Sequence, residues 1–286
     1  MLVEPLPGVG LERLRRTLSE LSSGLINARG TAGTTLDVYN AYVRWVNDAA
    51  HRLSVEVPAA DIERLVLTRR SWLLQSMPDR GGSAPVSNLL TTELNDRSRV
   101  FEEAVAALDE EIERWQRPGV LVVADTSFYV THPAKLEDAD LAALLPIREE
   151  PVRVIVPILV VDELDGLKRS GVHTVRWRAG YTLAVLDRLL PSPTRAGVLR
   201  PEDFSAIKDS TGGIPRGVVT VEILFDPPGH SRLPIPDDEI VARALAAENR
   251  RGRPATLLTY DTGQAMRARH AGLTVRKLSE ELSSQP

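Results

Sequence analysis

Cysteine is absent from this 286-residue chain, which excludes disulfides, thiolate metal sites and cysteine nucleophiles. The five histidines are scattered along the sequence and show no zinc-like pairing. Any bound metal must therefore be held mainly by oxygen. Oxygen ligands favour hard cations, so the expected cofactor is Mg²⁺ or Mn²⁺.

Long apolar runs are also missing. No stretch approaches the roughly 20 apolar residues that span a bilayer. The N-terminus does not show the basic-then-apolar pattern of a signal peptide. With 43% apolar residues the chain can still build substantial cores. We therefore expect a globular, cytoplasmic protein with no membrane partner.

Positive charge is not in excess, since the formal net charge is −4. The chain as a whole has no electrostatic attraction for nucleic acid. A local basic patch remains compatible with this total, because clustered acids elsewhere lower the sum.

The spacing of apolar residues changes near residue 118. Before it, three- and four-residue spacing predicts helices at 11–25, 35–53, 61–76 and 87–115, with Asp61 and Ser87 as N-caps. The turn-forming stretch at 77–85 is predicted to be a loop. We expect 1–118 to form an all-helical accessory domain.

After residue 118, short apolar strands alternate with helices. Strands are predicted at 120–124, 152–160, 218–225, 255–259 and 273–275. Helices are predicted at 136–145, 161–168, 174–190, 238–249 and 263–270, and a long irregular insertion at 191–216. This alternation predicts an α/β domain at 119–286, with a three-layer arrangement around a parallel sheet.

Acidic residues stand where these strands end or the following helices begin. They are Asp125, Glu163, Asp237, Asp238 and Asp261. Each one alone is equally consistent with a helix cap, a favourable charge in a first helical turn or a solvated helix face. Together they are informative, because all strands of a parallel sheet end at one edge and carboxylates can converge there. Converging carboxylates repel one another, so such a cluster either takes up protons or binds cations.

The segments around these acids read VADTS at 123–127, VPILVVDELDGLK at 156–168, PDDEIV at 236–241 and LLTYD at 257–261. In this order and context they resemble the PIN domain, a family of metal-dependent nucleases found in bacterial toxins and in RNA-decay endonucleases. The resemblance covers about residues 120–278. The second segment is similar to the larger PIN domains of RNA decay.

The resemblance implies that Asp125, Glu163, Asp261 and one or both of Asp237 and Asp238 are the catalytic acids and the metal ligands. The register against Ile240 favours Asp237 in the third position. Whether one or two metal ions bind is left open.

Hydroxyl side chains near these acids also match the family pattern. Thr126 or Ser127 is expected to orient the first carboxylate or a water molecule, and Thr259 occupies a position like that of a family hydroxyl.

A polyanionic substrate requires positive charge beside an acidic site. The nucleic-acid-binding candidates are Lys168, Arg169, Arg176, Arg178 and Arg267. Trp177 lies between two of these arginines, a combination suited to stacking an unpaired base. An equally consistent interpretation is that Trp177 only anchors its helix.

The resemblance implies a metal-dependent endoribonuclease that cleaves single-stranded RNA. Two alternatives stay open: a non-catalytic PIN-like module that binds RNA or a protein, and a flap-type DNA nuclease. The N-terminal part has no catalytic motif. RNA binding, homodimerisation and coverage of the nuclease site are its possible roles. An antitoxin-like partner is also left open, although the chain is longer than the toxin members of the family.

Overall fold

The structure is a computed structural model that describes residues 3–6, 8–77, 84–145, 147–192, 195–204, 215–227 and 229–279. Contacts within the chain divide it into two compact units. One comprises Met1–Arg117 and Asn249–Arg251, and the other comprises Pro118–Glu248 and Gly252–Pro286. In the described part of the chain, no helix is both long and apolar enough to cross a bilayer.

The first unit is helical. Its helices are α1 (Leu11–Arg29), α2 (Thr35–Leu53), α3 (Ala59–Leu65), α4 (Arg69–Ser76) and α5 (Ala84–Gln116). The leucines of α1 recur at three- and four-residue spacing and are buried, so this face packs against α2 and α5. Large aromatic side chains complete the core, and Trp115, Tyr42 and Phe101 are almost completely buried.

A buried carboxylate joins α4 to α5. Glu93 is fully buried and accepts hydrogen bonds from Thr68 Oγ1 at 2.7 Å and from Arg70 Nε at 2.9 Å. Arg97 Nε lies 3.2 Å from the same carboxylate. The charge of Glu93 is therefore compensated inside the helical unit, as a buried carboxylate requires.

The second unit contains a six-stranded sheet in the order β3-β4-β2-β1-β5-β6. The strands are β1 (Val120–Ala124), β2 (Val152–Pro157), β3 (Gly197–Arg200), β4 (Val219–Leu224), β5 (Ala255–Thr259) and β6 (Thr274–Lys277). The strand pairs are parallel except that β3 runs antiparallel to β4 at one edge. The fold is thus mixed α/β with a mostly parallel sheet, as the sequence predicts.

Among its described residues, this part of the chain forms six helices: α6 (Thr126–Thr131), α7 (Leu141–Leu144), α8 (Ile158–Leu167), α9 (His173–Leu189), α10 (Pro236–Arg251) and α11 (Thr262–His270). The central strands are buried along almost their whole length. Their carboxyl ends meet at one edge, where α6, α8 and α11 begin within two or three residues of a strand.

Several predicted boundaries were wrong. The strand predicted at 152–160 ends at Pro157, and Ile158 starts α8. Residues 158–160 are apolar because they form a buried helical turn, which sequence spacing alone does not distinguish from a strand. The helix predicted at 136–145 shrinks to α7, and the insertion at 191–216 contains the edge strand β3.

The helix predicted at 61–76 is two helices, because Thr68 caps a new one by accepting a hydrogen bond from Ser71 N. Asp61 and Ser87 lie inside α3 and α5 rather than at their N-caps. Most of the loop predicted at 77–85 lies outside the described residues.

A buried ion pair ties β2 to β4. Arg153 and Glu222 side chains are 4% and 3% exposed, and Arg153 Nη2 lies 2.5 Å from Glu222 Oε1. Removing one partner of such a pair leaves a buried charge without its counter-ion. The pair therefore contributes to the pairing of β2 with β4.

We expect Glu222→Ala to lower the free energy of unfolding by about 3–5 kcal/mol, the usual cost of breaking a buried ion pair from one side. Chemical denaturation measures this change. Thr220→Ala, on the same strand at a half-buried position, should cost less than about 1 kcal/mol. Equal losses in the two variants would contradict a special role for the pair.

Candidate active site

Asp125 is the most buried of the five acids predicted to form the site. It directly follows β1 and is the N-cap of α6, where Oδ1 accepts the backbone N–H of Phe128 at 3.1 Å. Only 4% of the residue is exposed. An N-cap position explains why an Asp is stable here, but it does not explain the two further hydrogen bonds that this carboxylate accepts.

Two hydroxyls supply those bonds. Ser127 Oγ donates to Asp125 Oδ1 at 2.7 Å, and Thr259 Oγ1 donates to Asp125 Oδ2 at 2.6 Å. Each hydroxyl also accepts a backbone N–H from the turn after β5: Tyr260 N donates to Ser127 at 2.9 Å, and Asp261 N donates to Thr259 at 2.8 Å. Both oxygens of Asp125 are thus fixed by side chains that also hold the turn carrying Asp261.

Glu163 reaches the same edge from the second turn of α8. Its carboxylate accepts a hydrogen bond from Thr126 Oγ1, the first residue of α6. The two hydroxyl residues that follow Asp125 therefore contact different acids: Thr126 positions Glu163, and Ser127 positions Asp125.

Asp237 and Asp238 occupy the first turn of α10, but their surroundings differ. Arg267 Nη1 donates to Asp238 Oδ1 at 2.7 Å, whereas its Nε lies 3.7 Å from Asp237 Oδ2. The repulsive neighbours of Asp237 include Asp261 and also Glu163. Asp237 therefore faces the other acids, and Asp238 is held by a guanidinium.

Asp261 is the N-cap of α11, and its Oδ1 accepts the backbone N–H of Gln264 at 2.8 Å. It is the most exposed of these acids. The side chain of Gln264 in turn donates to the carbonyl of Asp237 at 3.2 Å, so α11 and the start of α10 are joined beside the acids.

The electrostatics link four of the carboxylates. Burial is the main cause of raised pKa values at Asp125, Glu163 and Asp237. Charge repulsion adds to it: Asp261 raises the pKa of Asp125 and of Asp237, while Asp125 and Asp237 both raise the pKa of Glu163. The repulsive pairs close into a ring of four acids, which a cation would stabilise.

The donor chemistry of this ring suits a hard divalent cation. All candidate ligands are carboxylate oxygens, the ligands that Mg²⁺ and Mn²⁺ prefer. At the same edge, Asp125 and Glu163 are already oriented by hydroxyl donors, as metal-binding carboxylates usually are.

With this geometry established, the comparison with known families is decisive. The sequence model of the PIN domain family matches residues 122–279, which is more than half of the chain. This chain belongs to the PIN domain family. It therefore has a nuclease-type fold, and PIN domains are commonly metal-dependent nucleases. No significant match was found among curated proteins.

The basic residues predicted to bind nucleic acid do not form one group in this PIN domain. Lys168, Arg169, Arg176 and Arg178 lie at the corner between α8 and α9, and Arg267 lies beside the acids. Lys168 Nζ is paired with Asp165 at 2.6 Å, and Arg178 donates to main-chain carbonyls after α6. The remaining two cations of the corner are exposed.

A second cluster of possible ligands was missed by sequence reasoning. Asp226, His230 and Glu239 bring one ligand atom each within 4.8 Å of one another. The signal was present, since Asp226 follows β4 as other acids follow their strands. The two oxygens of Glu239 are already used, however, by His230 Nε2 at 2.7 Å, Leu233 N at 2.9 Å and the ion pair with Arg243 at 3.0 Å.

Two arginines make this second cluster unfavourable for a cation. Besides Arg243, Arg232 donates to Asp226 Oδ2 at 2.7 Å and bridges it to Asp162, the neighbour of Glu163. We therefore assign the cluster a structural role: it holds the segment between β4 and α10 against the end of the sheet.

We expect Glu163→Gln to stabilise the metal-free protein at about pH 8 by about 2 °C in melting temperature. The pKa of Glu163 is raised above its ordinary 4.5. The folded state therefore binds more protons than the unfolded chain between these two values, and stability falls as the pH rises through that interval. Glutamine removes the charge and keeps an acceptor for Thr126. Thermal melts with a chelator measure the effect.

The gain in melting temperature of Glu163→Gln should vanish well below about pH 4.5, where Glu163 of the wild type is protonated in both the folded protein and the unfolded chain. Asp165→Asn is the matched control on the same helix, because Lys168 lowers the pKa of Asp165 and the expected sign is opposite. A glutamine variant that melts below the wild type at the higher pH would contradict the proposed repulsion.

We expect Thr259→Val to weaken binding of Mn²⁺ by about 10- to 100-fold, the usual effect of removing a side chain that orients a metal ligand. Valine has the same shape but leaves Asp125 Oδ2 without its donor. Calorimetric titration with Mn²⁺ measures the affinity. Thr256→Val, on the same strand and outside the hydrogen-bond network, should bind like the wild type; equal affinities for all three proteins would exclude this role for Thr259.

Proposed function

We propose that this PIN domain is a metal-dependent endoribonuclease that hydrolyses phosphodiester bonds of single-stranded RNA. The ring of four mutually repelling carboxylates supports the catalytic assignment. Such a ring destabilises the metal-free fold and gains nothing for a protein that only binds RNA. We also propose a cytoplasmic location, where this substrate class is found.

The proposed ligands of Mg²⁺ or Mn²⁺ are Asp125, Glu163, Asp237 and Asp261. Asp238 is the less favoured neighbour, because Arg267 already compensates its charge at 2.7 Å. The chain supplies neither thiolate nor clustered imidazole at this edge. Oxygen-only coordination therefore goes with the proposal of a hard cation.

A bound divalent cation would supply Lewis-acid stabilisation of the negative charge that develops on the phosphate. The residues of the chain do the positioning. Ser127 and Thr259 fix both oxygens of Asp125, and Thr126 fixes the carboxylate of Glu163. Because Asp125 accepts three hydrogen bonds, it is poorly placed to act as a covalent nucleophile, and water is the proposed attacking group.

The proposed substrate contacts follow from the distribution of charge. Arg169 and Arg176 are exposed at the corner between α8 and α9, six and thirteen residues beyond Glu163 along the chain. Lys168 and Arg178 contribute positive charge at the same corner, and Arg267 lies at the acids themselves. These cations would counter the repulsion between the phosphates and the acidic ring.

We expect Asp125→Asn to reduce RNA cleavage by about 100-fold or more, the size of effect seen when one preorganised electrostatic contact is lost from an active site. The assay incubates labelled single-stranded RNA and the matching DNA with Mg²⁺, with Mn²⁺ and with a chelator. Asp165→Asn, which changes an exposed acid of α8 that pairs with Lys168, is the control and should cleave like the wild type.

The arms of this assay separate the candidate functions. RNA cleavage that needs the metal and Asp125 supports the proposal. Metal-dependent cleavage of DNA in preference to RNA would favour a flap-type nuclease. RNA binding with no cleavage under any condition would instead favour a non-catalytic module.

A further inference from the structure

Two aromatic rings are stacked on the surface of α9. Trp177 is 46% exposed and Tyr181 is half-buried. Their ring centroids are 5.3 Å apart, and the ring planes differ by 21°. Lys135 Nζ lies 4.9 Å from the Tyr181 centroid and 5.8 Å from that of Trp177. We call the side chains of Trp177, Tyr181 and Lys135 the aromatic ledge.

The aromatic ledge is held in place by contacts within the protein. The hydroxyl of Tyr181 donates to the carboxylate of Glu137. Arg178, next to the tryptophan, donates to the carbonyls of Ala134 and Pro133, which precede the lysine of the ledge. Because these contacts form without a ligand, little side-chain freedom remains to be lost when one binds.

A cavity adjoins the ledge. It has a volume of about 330 Å³ and is lined by His173, Thr174, Trp177 and Arg178. This size lies at the lower end of the range for small-ligand pockets. All four residues lie in the first two turns of α9, so Trp177 borders an open depression of the surface.

The surroundings of the ledge are positively charged. In the described part of the chain, none of Lys135, Arg169, Arg176 and Arg178 forms an ion pair with a carboxylate. Arg176 and Arg178 donate instead to main-chain carbonyls, and the nearby carboxylate of Glu137 is paired with Arg188. A local surplus of cations in a chain of net charge −4 attracts a polyanion to this surface.

The ledge lies close to the candidate active site. The helix α9 packs against α6, whose N-cap is Asp125, and against α8, which contains Glu163. The six residues of α6 span about 9 Å. Arg178 bonds to carbonyls just beyond the end of that helix, so roughly one short helix separates the ledge from the carboxylates.

We propose that the aromatic ledge stacks an unpaired base of a single-stranded polynucleotide and so holds the strand beside the carboxylates. This inference rests on the proposed function only in that the bound strand is then cleaved at the carboxylates. Exposed aromatic rings among cations are the combination that binds single strands, because every base has a face to stack while its phosphates meet the positive charges. A duplex keeps its bases stacked internally and offers no free face.

The test measures binding without cleavage. Asp125→Asn protein in a chelator is titrated into fluorescein-labelled single-stranded RNA, single-stranded DNA and duplex RNA, with anisotropy as the readout. We expect Trp177→Ala in this background to weaken single-strand binding about tenfold, the effect of losing one stacked base. Trp177→Phe should restore most of the affinity, and duplex binding should hardly change.

Trp72→Ala is the matched control, because Trp72 is also exposed, at 57%, but lies on α4 of the helical unit. It should bind like the parent protein. Thermal melts of each variant verify folding. Equal affinity of Trp177→Ala and its parent for single strands would overturn the inference, as would an equal loss for duplex.

The outcome is independent of the proposed ribonuclease activity. Single-strand binding that needs Trp177 supports the ledge even in a protein that never cleaves RNA. Cleavage with an unchanged KM in Trp177→Ala would overturn the ledge while leaving the nuclease intact. Similar affinities for RNA and DNA are expected, because stacking does not contact the sugar hydroxyl; a strong preference for RNA that depends on Trp177 would contradict stacking as the source of binding.

Discussion

The buried carboxylate of Asp125 is the interaction on which the active-site edge depends. Burial raises its pKa, while three hydrogen bonds from Ser127, Phe128 and Thr259 oppose that rise. Two of the donors are hydroxyls that also accept backbone N–H groups after β5. One charged side chain therefore sets the relation between the ends of two adjacent strands, and the other acids are arranged around it.

The acids on which the proposed function depends are also residues whose mutual repulsion lowers the stability of the fold. Asp125, Asp237 and Asp261 each raise the pKa of at least one other member of the acidic ring, so the metal-free fold carries repulsion between carboxylates. Features outside the ring offset this cost: fully buried parallel strands, the ion pair between Arg153 and Glu222, and helix caps such as Thr68. Such concentrated local strain is expected of a functional site.

The sequence predicted the sheet well because apolar strands and the acids after them follow directly from the order of residues. Asp125 and Asp261 are N-caps immediately beyond strands, and a local pattern suffices to place them. The strand before Glu163 was predicted to end at residue 160 rather than at Pro157, because residues 158–160 are apolar as part of a buried helical turn. The register against Ile240 favoured Asp237 over Asp238, but the pairing of Asp238 with Arg267 was not predictable, because it comes from a helix that meets Asp238 only in the folded protein. The same is true of Lys135, which reaches the rings of α9 from a distant loop.

Arg267 has a consequence for how a metal would arrive. Its guanidinium already stands against the first turn of α10, 2.7 Å from Asp238 and 3.7 Å from Asp237. Arg267 pairs mainly with Asp238, which is not the favoured ligand, so a cation held by Asp237 would lie close to a second positive charge. Repulsion between these two charges would lower the affinity of the site for the cation.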